Sequence, residues 1–230
     1  DLDPNRFYWP SSPGHSVDLP DSDQIYGSGD NHYWGVWHGG DGFDAFENNV
    51  GRFMSEYGMQ SFPEQKTIKY FAEDEDMHLE SSVMIDRQKA SLGTGNLIKY
   101  IEKYYPLPKT FESIAGLSQI MQAHSIKKAV EVHRKNMPFC MGTLYWQLND
   151  CWPAISWSSL DYFGNWKALH YEAKRFFSPT LLTLSEKDKD IEIFIINDQN
   201  KAFKVTLNVL LYNFNSKVMM ERSQKVNVSP

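Results

Sequence analysis

Residues 110–148 read TFESIAGLSQIMQAHSIKKAVEVHRKNMPFCMGTLYWQL, and this stretch decides the fold class. Thr110 is a suitable N-cap, and the apolar residues that follow it recur at helical spacing until the chain approaches Pro138. The next run, Phe139–Leu148, is apolar and aromatic, which is typical of a strand buried on both faces. A long amphipathic helix that leads directly into such a strand predicts a parallel α/β domain.

Patterns on either side of this stretch predict further elements of the same domain. Residues 51–58 form a short strand-like run that ends at a glycine. Helical periodicity covers residues 64–72, 79–90, 96–105 and 165–177, and Gly93-Thr94-Gly95 interrupts it between the second and third of these stretches. In the long helix, the expected apolar stripe consists of Ile114, Leu117, Ile120, Met121, His124, Ile126, Ala129, Val130 and His133.

The residue pattern changes from helical periodicity to strand-like stretches near Ser178-Pro179, and we place a domain boundary there. Three stretches beyond it read as strands, at residues 191–196, 204–212 and 217–226. We therefore expect residues 179–230 to begin a β-sandwich. Residues 1–178 contain too few strands to close a (β/α)8 barrel, so we interpret them as the C-terminal half of a TIM barrel.

Composition excludes several functions. The 230 residues carry a formal net charge of -6 and lack the clusters of Lys and Arg that a phosphate backbone requires, so we expect no nucleic-acid partner. No apolar run reaches the ~18 residues of a membrane span, so we expect no membrane partner. No signal peptide opens the chain; a signal on a longer precursor would favour a periplasmic, secreted or lysosomal location over the cytoplasm.

We expect neither a metal site nor a cofactor. Two cysteines, Cys140 and Cys151, cannot form a disulfide framework and are not spaced as zinc ligands. His32 and His38 are six residues apart, which is not a usual spacing for a metal-binding pair. Gly27-Ser28-Gly29 lacks the third glycine of a dinucleotide-binding loop.

A carboxylate at the end of a predicted strand is the first chemistry-bearing feature. Glu56 lies near the end of the run Gly51–Tyr57, and Gly58, two residues later, lets the backbone turn. In a β/α barrel, the C-terminal ends of the strands carry the catalytic side chains. An ion pair between Glu56 and Arg52 is the structural alternative to a catalytic role.

Two aromatic runs supply the rest of a candidate sugar site. Residues 144–153 place Trp146 near amide and carboxylate groups, and alternation would put Trp146, Leu148 and Asp150 on one side. Residues 30–38 combine two imidazoles, a phenol and two indoles. Flat apolar rings with polar edges suit the C–H faces and hydroxyls of sugars, although they also suit a protein core or an ordinary loop.

Together these runs resemble the β-mannosidases of glycoside hydrolase family 2. The resemblance covers roughly residues 1–180. The Ser-Glu-Tyr-Gly and Trp-Gln-Leu-Asn-Asp-Cys-Trp-Pro runs are highly specific when they occur together. The matching segments, in chain order, are residues 3–13, 32–37, 52–63, 145–153, 156–162 and 166–171.

The resemblance implies a role for each of these segments. Glu56 would close strand seven of the barrel and act as the catalytic nucleophile of a retaining β-mannosidase. Trp146 would close strand eight and form the floor of the subsite for the terminal mannose. The other expected substrate-binding residues are His32, Tyr33, Trp34, Trp37 and Asp150. The region after residue 180 would begin an immunoglobulin-like β-domain.

The expected reaction is hydrolysis of terminal non-reducing β-D-mannose residues from mannose-containing oligosaccharides or glycosides. Retaining glycosidases need two carboxyl groups about 5–5.5 Å apart. In the family, the acid/base glutamate follows an asparagine, and no Asn-Glu dipeptide occurs in these 230 residues. We therefore expect the acid/base residue to lie upstream, on other domains of the same protein, and the 230-residue chain alone to be inactive.

Two other functions fit the same residues. A family-2 β-galactosidase or β-glucuronidase shares the barrel and the nucleophile glutamate but differs in the strand-eight run, which here reads Trp-Gln-Leu-Asn-Asp-Cys-Trp-Pro. A non-catalytic carbohydrate-binding module would use the same aromatic residues without needing Glu56.

Overall fold

The computed structural model describes residues 3–6, 11–14, 29–188 and 190–230. The chain forms two compact units, Asp1–Phe176 and Phe177–Pro230. Residues 7–10, which belong to the first of the matching segments, lie outside the described residues.

Helices dominate the first unit, and its strands are short. No helix in the described ranges combines the length and the apolar character needed to cross a bilayer. The described elements are strands β1 (Asn31–His32) and β2 (Met54–Glu56), the 3-10 helices Phe43–Asn48 and Asp74–Asp76, and helices α1 (Gln65–Phe71), α2 (Ser82–Asp86), α3 (Gly93–Tyr104), α4 (Phe111–Lys135) and α5 (Ala168–Phe176).

Three segments of the first unit run side by side and parallel. β1 pairs with β2 so that His32 lies beside Glu56. On the other edge of β2, residues 143–146 form isolated parallel bridges, one of them between Gly58 and Trp146. Because the carboxyl ends of parallel strands meet at one edge of a sheet, these three segments bring their terminal side chains together. The expectation of a mixed helix-and-strand fold with parallel pairing is therefore confirmed.

The long helix α4 begins and ends as the sequence predicts. The Thr110 hydroxyl accepts a hydrogen bond from the backbone N–H of Ser113, and the helix ends at Lys135, before Pro138. Its buried face differs from the expected stripe, because Ile120 and His124 are exposed.

Polar side chains take part of the buried face of α4 instead. Ser118, Gln122 and Ser125 are fully buried there. The loops that pack on this face present backbone N–H and C=O groups, and buried backbone groups need polar partners. The Ser118 hydroxyl meets this need by accepting a hydrogen bond from the backbone N–H of Phe62 at 3.0 Å.

Gln122 on α4 connects two loops. Its Nε2 donates to the carbonyl oxygens of Met59 at 2.8 Å and Trp157 at 3.0 Å. Its Oε1 accepts a hydrogen bond from the Ser61 hydroxyl at 2.7 Å. One buried amide thus holds the segment after β2 and the segment that carries Trp157 against the same helix.

The prediction of a strand buried on both faces at residues 139–148 is wrong. This run forms bridges to the chain of β2 but no strand of its own. Met141, Leu144 and Leu148 are exposed. Among the described residues, no strand pairs with the edge of this run that faces away from β2. These side chains therefore have no neighbouring strand to bury them, although the apolar sequence suggested one.

Two helical predictions need correction. The helix expected over residues 79–90 is limited to Ser82–Asp86. Gly93-Thr94-Gly95 does not interrupt the following helix but forms its first turn. Gly93 permits a close approach there, because a Cβ atom would lie 2.4 Å from the Gln88 side chain and 2.5 Å from Gln60 Oε1.

The second unit consists of two antiparallel hairpins. Strand β3 (Thr180–Lys187) pairs with β4 (Asp190–Asn197), and β5 (Phe203–Tyr212) pairs with β6 (Val218–Val228). Three of these strands match the predicted stretches, whereas β3 was not predicted. The Asn197 side-chain amide links the two hairpins by donating to the Ser229 carbonyl oxygen at 2.8 Å.

We predict that Gln122→Met lowers the free energy of unfolding by about 3 kcal/mol, because methionine leaves two buried carbonyl groups and the Ser61 hydroxyl without this partner. Urea denaturation followed by tryptophan fluorescence measures the change. Lys127→Met places the same side chain on the exposed part of the same helix and should cost less than about 0.5 kcal/mol. Equal losses in the two variants would contradict the assigned role of Gln122.

Candidate active site

The carboxylate of Glu56 lies at the end of β2 and is partly exposed. The indole N–H of Trp34 donates a hydrogen bond to Glu56 Oε1 at 3.0 Å. His32 Nδ1 lies 3.7 Å from the same oxygen. The side chain of Glu56 retains 26% of its exposure, so a ligand can reach the carboxylate. A donor aimed at one carboxylate oxygen stabilises the ionised form that a nucleophile requires.

Arg52 does not pair with Glu56 in this structure. Its guanidinium lies over the ring of Phe139, 5.2 Å from the ring centroid. Among the described residues, the polar contacts of Glu56 run to His32 in β1 and to Trp34 in the loop that follows it, and not to Arg52. The structural alternative of an Arg52–Glu56 ion pair is therefore wrong, and Trp34 is the hydrogen-bond donor to Glu56 in its place.

His32 is held from its other side by a polar cluster. Its Nε2 lies 2.9 Å from the Ser12 hydroxyl, and that hydroxyl donates to Asp30 at 2.5 Å. Ser55 and the backbone N–H of Gly14 also donate to Asp30. Burial opposes ionisation of Asp30, but these hydrogen bonds outweigh it and lower the pKa of the Asp30 carboxyl below its usual value. An ionised Asp30 therefore fixes the imidazole beside Glu56.

Trp37 supports the loop that carries Trp34. Its backbone φ is 84°, a left-handed conformation that costs energy for a bulky residue. The surroundings hold it there: the indole stacks on Tyr100, the backbone N–H donates to the Tyr100 hydroxyl, and the carbonyl accepts from Asn96. Burial raises the pKa of Tyr100 to about 12, so its hydroxyl stays protonated.

Tyr33 and Trp37, which the resemblance assigns to substrate binding, are buried in the core. Trp37 is 1% exposed and Tyr33 is 6% exposed. The Tyr33 hydroxyl donates to Asp41 Oδ2 at 2.7 Å. Both side chains are therefore core residues: the Tyr33 ring packs edge-to-face on Phe46 at 5.7 Å and the Trp37 ring on Trp157 at 6.4 Å.

Trp146 lies on the opposite edge of β2 from His32. Its backbone N–H donates to the Tyr57 carbonyl oxygen at 2.8 Å, and its side chain is 44% exposed. A Cβ atom on Gly58 would lie 2.4 Å from the Trp146 carbonyl oxygen and 2.9 Å from Trp34 Cη2. Gly58 thus lets three chain segments meet beside Glu56.

Trp157 completes this aromatic group. Its ring lies 6.3 Å from Trp34 in an edge-to-face arrangement. Its Cδ1 would be 3.1 Å from a Cβ atom on Gly58. Sequence reasoning did not single out Trp157 as a site residue, because nothing in its local pattern shows that its loop folds back onto the strand that carries Glu56.

Asp150 is buried in a network instead of facing the same side as Trp146. Its Oδ1 accepts from Lys89 Nζ at 2.7 Å, and its Oδ2 accepts from the Ser156 and Ser158 hydroxyls. The expected alternation fails because residues 147–152 form an irregular loop, in which Asp150 turns inward while Leu148 and Asn149 are exposed. Asp150 therefore organises this loop.

A cavity opens beside Trp146. Its volume is about 840 Å³, and Trp146, Trp152, Trp157, Gln88, Lys89 and Gln147 are among the residues that line it. No sequence pattern indicated that Gln88 and Lys89 lie here, since they come from a separate loop between α2 and α3.

The site can supply one carboxylate surrounded by indole and imidazole groups. Within the described ranges, no group of three His, Cys, Asp or Glu side chains is placed to hold a metal ion. An exposed indole near a carboxylate is an arrangement that suits a sugar ring and a reaction at its anomeric carbon.

Comparisons with known proteins point to one family. Residues 189–230 match the model of the Mannosidase Ig/CBM-like domain. The chain is 38% identical over 179 residues to a β-mannosidase from Capra hircus and 33% identical over 195 residues to β-mannosidase B from Aspergillus niger. These alignments cover 72% and 83% of this chain but only 20% and 23% of the relatives.

A solved structure gives the same result. The β-D-mannosidase from Dictyoglomus thermophilum superposes with a TM-score of 0.76 and 30% identity, over 87% of this chain and 26% of that one. The chain thus spans about a fifth to a quarter of the length of the relatives it matches. The specific motifs, the paired segments at Glu56 and these similarities together show that the chain resembles, over most of its own length, a part of the β-mannosidases of glycoside hydrolase family 2.

Proposed function

We propose that the protein containing this chain hydrolyses terminal non-reducing β-D-mannose residues with retention of configuration, and that Glu56 is its nucleophile. The observation that carries the proposal is the partly exposed Glu56 carboxylate, which accepts the Trp34 indole N–H at 3.0 Å. The family of the chain supports the substrate class.

The reaction takes place in two displacements. A Glu56 oxygen attacks the anomeric carbon, the bond from that carbon to the leaving oxygen breaks, and a carboxylic acid gives its proton to the leaving oxygen. Water then attacks the anomeric carbon of the glycosyl-enzyme after losing a proton to the same acid/base group, which releases mannose and restores Glu56. Trp34 donates a hydrogen bond to Oε1, and His32 lies beside the same oxygen. We therefore assign the attack on the anomeric carbon to Oε2.

The acid/base carboxyl lies on a part of the protein upstream of this chain. The chain has no Asn-Glu dipeptide, and its relatives are several times longer than the matched region. In the same proposal, β1, β2 and residues 143–146 are strands six, seven and eight of a TIM barrel, and the second unit begins an immunoglobulin-like domain. The 230-residue chain alone then has no steady turnover.

In this proposal, the terminal mannose lies at the end of β2, between the two chain segments that flank this strand. Trp146 forms the floor under the sugar ring, and His32 and Trp34 line the side next to Glu56. Tyr33, Trp37 and Asp150 serve the same subsite from beneath: they position the loops that carry the contacting side chains.

The substrate test compares three nitrophenyl glycosides with the full-length protein. We expect turnover of the β-mannoside to exceed that of the β-galactoside and the β-glucuronide by at least about 10²-fold, because hydrogen-bonding sites reject misplaced hydroxyls strongly. Preference for either of the other two sugars would assign the protein to a different activity within the family.

We predict that Glu56→Gln lowers kcat on nitrophenyl β-mannoside by at least about 10³-fold, because the amide cannot form the covalent intermediate. A 2-fluoro-mannosyl fluoride should label Glu56 in the unmodified protein, as measured by mass spectrometry of peptides. Glu80→Gln, which changes an exposed carboxylate, is the matched control and should retain activity. Reversible sugar binding without labelling, unaltered in Glu56→Gln, would indicate a carbohydrate-binding module instead.

We predict that Trp34→Phe lowers kcat/KM on the same substrate by about 10- to 100-fold, because it removes one hydrogen bond to a charged group but keeps an aromatic ring. Steady-state kinetics at a fixed pH measure the loss. Trp166→Phe makes the same replacement at an exposed indole outside the site and should change kcat/KM less than about twofold. An equal effect of both replacements would remove Trp34 from the catalytic arrangement.

A further inference from the structure

Lys167 is a fully buried amine that no step of the proposed reaction uses. It lies directly before α5, and its side chain is 0% exposed. The residues that the structure describes enclose this side chain completely, so its burial does not depend on any other part of the protein. Its Nζ donates to the carbonyl oxygens of Ser61 at 3.3 Å and Ser156 at 3.4 Å. A buried amine is costly, and these two contacts indicate what it stabilises.

The two acceptor residues pair with each other through their backbones. The N–H of Ser61 donates to the Ser156 carbonyl oxygen at 2.9 Å, and the N–H of Ser156 donates to the Ser61 carbonyl oxygen at 3.3 Å. Ser61 belongs to the segment that follows β2, and Ser156 belongs to the loop that carries Trp157. Nζ of Lys167 therefore adds a shared donor to the one backbone pair that joins these two segments at this point.

The position of this loop affects the carboxylate of Glu56 through two indole rings. Trp157, the residue after Ser156, packs edge-to-face on Trp34 with 6.3 Å between the ring centroids. The Trp34 N–H in turn donates to Glu56 Oε1 at 3.0 Å. A shift of the loop at Ser156 therefore moves the ring that supports the hydrogen-bond donor of Glu56.

Charged side chains from four parts of the fold act on the Lys167 amine. Asp150 in the loop before Ser156, Asp161 in the turn before α5 and Glu64 before α1 attract the ammonium, and Lys89 repels it. Burial is the largest influence and lowers the pKa of Lys167 from its ordinary value of 10.5 to about 7, although the three carboxylates oppose this shift. The amine therefore changes its charge close to neutral pH.

The charged and the neutral amine place different demands on the groups around them. An ammonium has three N–H donors and no acceptor, and its hydrogen bonds are about twice as strong as those of a neutral donor. A neutral amine has two N–H donors and a lone pair, which a carbonyl oxygen cannot satisfy. The protonated form of Lys167 therefore keeps the Ser61 and Ser156 carbonyl groups in one arrangement, and the neutral form binds them more weakly.

We propose that Lys167 is a positioning residue: its ammonium holds the segment after β2 against the loop that carries Trp157, and loss of its proton weakens this contact. The inference rests on the proposed function and adds a regulation of the same site by pH. Activity then falls as the pH rises through about 7, although Lys167 contacts neither Glu56 nor Trp34.

The same proton affects folding stability with the opposite sign. In the unfolded chain the pKa of Lys167 returns to 10.5, whereas in the folded chain it is about 7. Between these two pH values the unfolded chain binds more protons, so the contribution of Lys167 to stability rises with pH. Loss of activity above pH 7 through Lys167 is therefore not a loss of folded protein, and the two measurements separate positioning from stability.

The test uses the full-length protein and β-mannosyl fluoride. Fluoride leaves without a proton from the acid/base carboxyl, so the ionisation of that group does not shape the profile of kcat/KM against pH. We expect kcat/KM of the unmodified protein to fall by about tenfold between about pH 6 and about pH 9, because the hydrogen bonds of Lys167 weaken. Lys167→Met should have the lower value already at the acidic end and lose this part of the profile. Any contribution of His32 is common to both proteins.

Glu64→Gln tests the assignment without removing the buried amine. The change removes one carboxylate that favours the ammonium, so the midpoint of the fall in kcat/KM should move to lower pH by at least about 0.3 unit. Lys66→Gln changes one exposed charge on α1, which is not among the charges that act on Lys167, and is the matched control whose midpoint should stay in place.

The urea concentration that halves activity gives the stability measurement. Relative to Lys167→Met, the unmodified protein should become more resistant to urea between about pH 6 and about pH 9. A relative loss of resistance over that range would show that unfolding lowers the activity, and it would overturn the positioning role.

The outcomes also separate this inference from the proposed function. A profile that is flat in the unmodified protein, or the same midpoint in Glu64→Gln and Lys66→Gln, would overturn the role of Lys167. If the fluorosugar still labels Glu56 in that case, the proposed function stands. Absence of both labelling and β-mannoside turnover in the unmodified protein would overturn the two together.

Discussion

Gly58 imposes the steric constraint on which the rest of the site depends. Any side chain there would meet the Trp146 carbonyl oxygen at 2.4 Å, and backbone cannot move away as a flexible side chain can. The lack of a Cβ atom allows the Trp146 segment to join β2, while Trp34 and Trp157 close over the same position. Chain segments that carry Trp34, Trp146 and Trp157 thereby meet two residues from Glu56, although they come from distant parts of the sequence.

Buried polar groups rather than regular strands hold the loops around that carboxylate. Gln122 on α4 donates hydrogen bonds to two loops, and Asp150 accepts hydrogen bonds from two serine hydroxyls and from Lys89. Lys167 is fully buried with its Nζ 3.3 Å from the Ser61 carbonyl oxygen, and burial lowers its pKa to about 7. Each such group is costly to bury, so the loop geometry that satisfies it is strongly favoured over alternatives.

Local sequence patterns correctly predicted those ends of helices and strands that depend on neighbouring residues. The cap at Thr110, the end of α4 before Pro138 and the strand that ends at Glu56 all follow from residues within one or two turns. The resemblance of the motifs, by contrast, depended on long matching runs and identified the family without describing how the runs contact each other.

The incorrect structural predictions have a common cause: contacts between residues distant in the sequence determine the structure at these positions. The apolar run at residues 139–148 suggested a two-sided burial that its neighbours among the described residues do not provide. The alternation expected for Asp150 failed because serine hydroxyls from residues 156 and 158 drew its carboxylate inward. Lys89, Trp157 and the cavity between them could not be predicted, because their contacts span loops that no periodicity relates.

The directions of the hydrogen bonds around His32 follow from the ionised state of Asp30. An ionised carboxylate only accepts, so the Ser12 hydroxyl gives its proton to Asp30 and must accept from His32 Nε2. A neutral imidazole then has its proton on Nε2 and a lone pair on Nδ1, which faces Glu56 Oε1 across 3.7 Å. Two acceptors at that separation do not bond to each other, and a hydroxyl that donates between them satisfies either one. In the proposed function, the polar cluster behind His32 thus prepares an acceptor for a substrate hydroxyl, next to the Glu56 oxygen that accepts the Trp34 N–H.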